Sequence, residues 1–89
     1  MTTDRINYDR LPDYMQQPAR EYVERGERPG DFLYALLCHD LIGTIQHTDP
    51  TNHAALFDNR WLWWLLDIPL AAQGSRERVE AWIFDKAAG

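Results

Sequence analysis

Cys38-His39-Asp40 sets a thiol, an imidazole and a carboxylate in consecutive positions. These are the residue types of a thiol nucleophile, its base and an orienting acid. On a helix, adjacent side chains point about 100° apart, so the three do not meet in the order that such catalysis needs. Helical spacing instead puts Cys38 in the core and His39 and Asp40 at the surface. His39, His47 and His53 together with Asp49 are potential metal donors. Their separations match no recurrent ligand spacing, and a histidine near a helix C-terminus is accounted for by the helix dipole. The expected catalytic residues, metal ligands and cofactors are therefore none.

Two other groups carry recognition chemistry. Asp13, Glu21, Glu24 and Glu27 form an acidic set on the first helix and its exit turn, a solvated face unless a basic partner meets it. The stretch Trp61-Leu62-Trp63-Trp64-Leu65-Leu66-Asp67-Ile68 holds three of the four tryptophans. On a helical wheel Trp61, Trp64, Leu65 and Ile68 share the inward face, and Leu62 and Leu66 lie at its shoulder. Trp63 falls opposite the core, with Asn52, Leu56, Asn59, Arg60 and Asp67 as expected surface neighbours. A tryptophan there is either covered by the first helix or another segment, or left for a partner, for which a tryptophan beside an arginine is a usual anchor.

The elements that must position these groups are helices. The chain has 89 residues, enough for one domain that buries about 60–65% of its extended surface. Thr48-Asp49-Pro50 reads as a cap followed by a first-turn proline, Pro69 as a stop, Ser75 as a cap and Gly26 as the residue just past a helix end. These signals predict a first helix from Leu11-Pro12 to Gly26, kinked or restarted at Pro18, and a second, capped by Asp31, from Phe32 to about His47. A third runs from Pro50 to about Asp67 and a fourth from Arg76 to about Lys86.

Inward positions are predicted at Leu11, Met15, Ala19, Tyr22 and Val23. The second helix reads as central, with Leu33, Tyr34, Leu37, Cys38, Leu41, Ile42 and Ile45 on one arc and Phe32, Leu36 and Gly43 on another. Gly43 would let a further helix approach. Ala54, Phe57, Val79, Trp82 and Ile83 complete the predicted core. The fold class is all-α, a compact four-helix domain over residues 10–89 with short Pro/Gly-containing loops and a flexible arm at 1–9. Asp31, Asp40, Asp49, Asp58 and Asp67 recur every nine residues. The residues between them do not match, so the spacing reads as coincidence.

The formal charge is −5, from 14 acidic and 9 basic residues. That balance argues against direct nucleic-acid binding, which needs a clustered basic stripe, and suits docking onto a basic groove. A lone Cys38 gives no intrachain disulfide and no paired-cysteine zinc motif. The absence of a signal-like start and of a long apolar run makes a cytoplasmic protein without a membrane segment the expectation.

Leu11-Pro12-x-x-Met15, Ala19-Arg20-x-Tyr22-Val23-Glu24-Arg25-Gly26, Pro29-Gly30-x-Phe32-Leu33-x-Ala35-Leu36-Leu37, Asp40-Leu41, Asn52, Trp64-Leu65, Pro69, Gly74-Ser75 and Val79-x-x-Trp82 resemble a family of small helical proteins encoded in phages and prophages of proteobacteria. The resemblance runs from Leu11 to Ile83 and rests on core and punctuation residues, with Trp61 and Trp63 as departures. By analogy with phage proteins of this size and charge, it implies a non-enzymatic inhibitor of a host defence complex, of the anti-CRISPR kind. The expected partner is a bacterial host protein such as a CRISPR effector subunit with a basic nucleic-acid groove. Asp13, Glu21, Glu24 and Glu27 would face that groove, with Arg60 and Trp63 as anchors. The alternative expectation is a structural or regulatory phage protein acting as a homodimer through Leu56 and Trp63.

Overall fold

The computed structural model describes residues 6–89. Its elements are α1 (Asp13–Arg25), α2 (Asp31–Leu37), α3 (Leu41–His47), α4 (Pro50–Phe57), α5 (Arg60–Asp67) and α6 (Arg76–Ala88), with a 3₁₀ turn at Leu70–Ala72. The described residues contain no strand. The all-α class holds, but there are six helices rather than four. The predicted second and third helices are each broken in two.

Both breaks lie inside stretches whose apolar pattern gives no sign of them. After α2 ends, His39 adopts φ 60°, and Asp40 becomes the N-cap of α3, its Oδ1 accepting from Gly43 N–H at 3.0 Å. After α4 ends, Asn59 adopts φ 63° and leads into α5. A single left-handed residue interrupts the helix and resets its phase, and asparagine adopts that conformation more readily than most residues.

The reset changes which residues are buried. Leu33 and Leu37 of α2 are in the core, while Leu41, Ile42 and Ile45 of α3 are exposed. In α4 Ala55 is buried, whereas Ala54 and Phe57, expected inside, are exposed. The nine-residue spacing of aspartates coincides with the ends of these short helices. Asp31 opens α2, Asp40 and Asp49 cap α3 and α4, Asp58 follows α4 and Asp67 closes α5.

The core is a line of aromatic rings. Phe32 meets Trp61 edge-on at 5.4 Å between centroids, Trp61 meets Trp64 at 5.6 Å and 86°, and Tyr8 lies 6.5 Å from Trp64. Such tilted contacts add about 0.5–1.5 kcal/mol each beyond area burial. Ile6 and Tyr8 are buried in this cluster, so the flexible arm expected over 1–9 is packed from Ile6 onward; residues 1–5 lie outside the described residues.

Helix α1 runs unbroken through Pro18, so of the kink or restart expected there the restart does not occur. It docks on α6, where Trp82 Nε1 donates to the Tyr22 carbonyl at 3.0 Å. The Tyr22 hydroxyl in turn donates to the Ala72 carbonyl at 2.6 Å. Ser75 caps α6, accepting from Arg78 N–H at 3.1 Å. Gly26 ends α1 in the left-handed region, as its position in the sequence suggests. Gly43 does permit a close approach, with a Cβ there meeting Ala35 at 3.2 Å and crowding the Asp40 carboxylate. The neighbour is α2, the other half of what the sequence reads as one helix.

Candidate functional site

The thiol, imidazole and carboxylate at 38–40 form the corner between α2 and α3, and each turns to a structural task. Cys38 is half-buried, and burial, followed by the Asp40 charge, pushes its thiol up from the usual range. A thiol held protonated is a poor nucleophile. His39 Nε2 lies 2.9 Å from Oε1 of Gln73, and the Gln73 amide donates to the carbonyls of Leu65 at 2.5 Å and Ile68 at 3.3 Å. Those contacts identify Nε2 as the protonated nitrogen of His39. Asp40 is occupied in capping α3. Gln73 was not legible from the sequence, because an isolated glutamine in a loop carries no pattern.

His47 and His53 do not join His39. Asp49 caps α4, accepting from Asn52 N–H at 2.7 Å, and also accepts from the Tyr14 hydroxyl. Among the described residues no three His, Cys, Asp or Glu side chains are arranged to hold a metal ion.

The acidic set on the first helix is interleaved with arginine. Asp13, Glu24 and Glu27 are exposed and Glu21 is half-exposed. Arg20 reaches Glu24 at 3.5 Å, and a shallow polar depression is lined by Gln17, Arg20, Glu21, Glu24 and Arg25. Residues 13–28 hold four acids and three arginines, so this face is nearly balanced in charge. Arg28 is itself engaged, forming a two-pronged ion pair with Glu80 at 2.8 and 2.9 Å.

The negative charge is concentrated elsewhere. Residues 31–67 carry five aspartates and one arginine, a net −4 of the chain's −5. That arginine, Arg60, is half-buried and lies 3.7 Å from the Asp58 carboxylate. Trp63, one turn on, is 56% exposed. Its expected neighbours are otherwise engaged. Asn52 is buried, with Oδ1 accepting from Trp61 Nε1 at 3.2 Å, and Asp67 lies 3.9 Å from Arg10.

The same segment presents an apolar groove of about 370 Å³ between α3, α4 and α5. Leu36, Thr44 and Leu65 are buried and form its floor. Leu41 (72% exposed), Ile45, Leu56 and Leu62 rise around them, with His39 at one end. Leu66, at 74% exposed, continues the α5 rim towards Trp63. On α5 the positions 62, 66 and 63 span an arc of about 100° on the helical wheel. A small protein leaves so many large apolar side chains in water mainly where another surface meets them. The break at His39–Asp40 creates this groove by turning Leu41 and Ile45 outward.

Compared with protein-family models, curated proteins and solved structures, the chain matches none.

Proposed function

We propose that this is a non-enzymatic interaction protein that binds a bacterial host protein through the α3–α5 face. The partner surface is basic, as in the nucleic-acid groove of a defence effector. Binding there would exclude nucleic acid, which is how a phage-encoded inhibitor of the anti-CRISPR kind would act. The observation that carries this reading is the coincidence of the exposed apolar groove with the segment holding nearly all the net negative charge. Apolar side chains at the centre of a docking face supply affinity, while the net negative charge of the segment supplies on-rate and choice of partner. Of the anchors considered from sequence, Trp63 is available on this face, whereas Arg60 is occupied by Asp58. The acidic residues of α1 contribute less net field, because their arginine neighbours offset them.

The test is capture of a nucleic-acid-binding host protein by the tagged chain, beside a Leu41→Gln/Leu62→Gln variant. The expected partner binds stoichiometrically, is lost from the variant, and is released as salt rises from about 50 to about 500 mM. Equal retention by both forms, or retention indifferent to salt, overturns the reading.

A homodimer through Leu56 and Trp63 is the second reading, favoured by the exposure of Trp63. Bringing two such anionic faces together weighs against it. Light scattering across concentration separates the two: a tight dimer that Trp63→Ala dissolves would establish the homodimer.

A further inference from the structure

We infer that Gln73 is the positioning residue of the groove, a buried strut that holds its α4–α5 wall apart from its α2–α3 wall. This rests on the interaction reading above for the groove's role and specifies what keeps the groove open, whatever occupies it.

The two walls belong to two separate pairs of helices. Helix α3 packs chiefly on α2, and their corner is closed by the N–H groups of His39 and Asp40, which donate to the carbonyls of Leu36 at 3.0 Å and Ala35 at 2.9 Å. Helix α4 packs on α5, with Trp61 bonded to Asn52 across the break. Leu41 and Ile45 line the groove from the first pair, and Leu56, Leu62 and Leu65 line it from the second. One link between the pairs is apolar, Phe32 against Trp61 at 5.4 Å. A second link is polar and runs through Gln73, which is 4% exposed.

The chain after α5 explains why a glutamine stands there. Pro69 has no N–H, so the Leu65 carbonyl one turn earlier lacks its helical donor. The Gln73 amide supplies that donor at 2.5 Å and also reaches the Ile68 carbonyl at 3.3 Å. With the amide N–H groups committed to α5, Oε1 faces the His39 ring, 2.9 Å from Nε2. Gly74, the next residue, donates from its backbone to the Leu37 carbonyl at 2.9 Å. The planar amide therefore has its donors on one pair of helices and its acceptor on the other, which fixes their separation beside His39.

Apolar walls standing in water gain by closing on each other. Leu41 is 72% exposed and Leu62 49%, and the groove of about 370 Å³ leaves them room to approach. The strut opposes that closure. A groove kept open in advance spares a partner the cost of opening it.

No partner is needed to test this. Enhancement of bis-ANS fluorescence reports the open groove, and methyl NOEs from Leu41 and Ile45 to Leu62 report its width. His39→Asn cuts the strut at the corner, since asparagine accepts the left-handed backbone while Gln73 still caps α5. Gln73→Ala removes strut and cap together. Both variants should lose most of the dye enhancement and gain cross-groove NOEs. Nitrogen-15 spectra should show wild-type His39 as the Nε2–H tautomer, a preference that Gln73→Ala abolishes.

If Gln73→Ala does not fold, His39→Asn decides. Unchanged dye binding and NOEs in His39→Asn, or a wider groove that binds more dye, overturn the strut and leave the interaction reading standing. A mixture of tautomers in wild type also overturns the strut. If wild type itself binds no dye, the groove is closed in solution and both readings fall.

Discussion

The indole nitrogen of Trp61 donates to Oδ1 of Asn52 at 3.2 Å, and both side chains are sealed inside the protein. The bond crosses the break between α4 and α5, tying together the helices on either side of Asn59. It gives a buried tryptophan the partner its N–H requires. Asn52→Ala should therefore cost about 1–3 kcal/mol, measured by urea denaturation. Wild-type stability in that variant would mean that the bond does not hold the corner.

Gly26 and Gly30 flank the same turn and should respond oppositely to alanine. Gly26 has φ 70°, and a Cβ there would lie 2.5 Å from Cβ of Lys86. Gly26→Ala should lose at least about 1–2 kcal/mol and push α1 away from α6. At Gly30 the backbone lies at φ −72°, and an added Cβ meets nothing within 4 Å. Gly30→Ala should leave the melting temperature unchanged or slightly raised. Similar losses in both would refute the distinction.

Glu80 gives the protein an acid limb. The Arg28 guanidinium, then the Tyr34 hydroxyl at 2.5 Å, hold its carboxyl down at about 2. A carboxylate depressed in the folded state stabilises above its unfolded pKa, and that contribution fades as pH falls through the folded value. Stability should therefore decline between about pH 5 and pH 2 as this carboxylate is protonated. Glu80→Gln should be less stable at pH 7 and show a shallower decline over that range in pH-dependent chemical denaturation. A variant with an undiminished slope would assign the acid limb to other carboxylates.

The four tryptophans should separate by accessibility. Trp61 and Trp64 are fully buried, Trp82 is half-buried and Trp63 is exposed. Acrylamide should quench a fraction of the emission that Trp63→Phe largely removes, while the remaining emission is blue-shifted. If the quenchable fraction survives this substitution, Trp63 is covered in solution and its part in the docking face is lost.

Much of the frame could be read from residue types. Asp49-Pro50, Pro69, Ser75 and Gly26 act through their own backbone and side-chain chemistry, and the structure places helix ends at or beside each of them. Periodicity turns Trp61, Trp64, Leu65 and Ile68 inward, and all four are buried. Asp40 as an N-cap and the Asp58-Asn59 pair were available signals for the two breaks. The apolar pattern runs across both breaks without interruption. Gln73 left no trace in sequence, because its task depends on His39 being 34 positions away in the chain yet within hydrogen-bond reach.

By itself, then, the sequence determined an all-helical chain, most of its helix ends and the inward placing of Trp61 and Trp64. These follow from local capping and from which residues water rejects. Tertiary structure decided the remaining side of each helix. A left-handed residue at His39 and another at Asn59 break the helices and reset the helical phase, so the two halves of each apolar pattern no longer share one face. That resetting leaves Leu41, Ile45, Leu62 and Trp63 in solvent. A periodic pattern records that these residues are apolar, and only the packing of the other helices records that nothing within the described residues covers them.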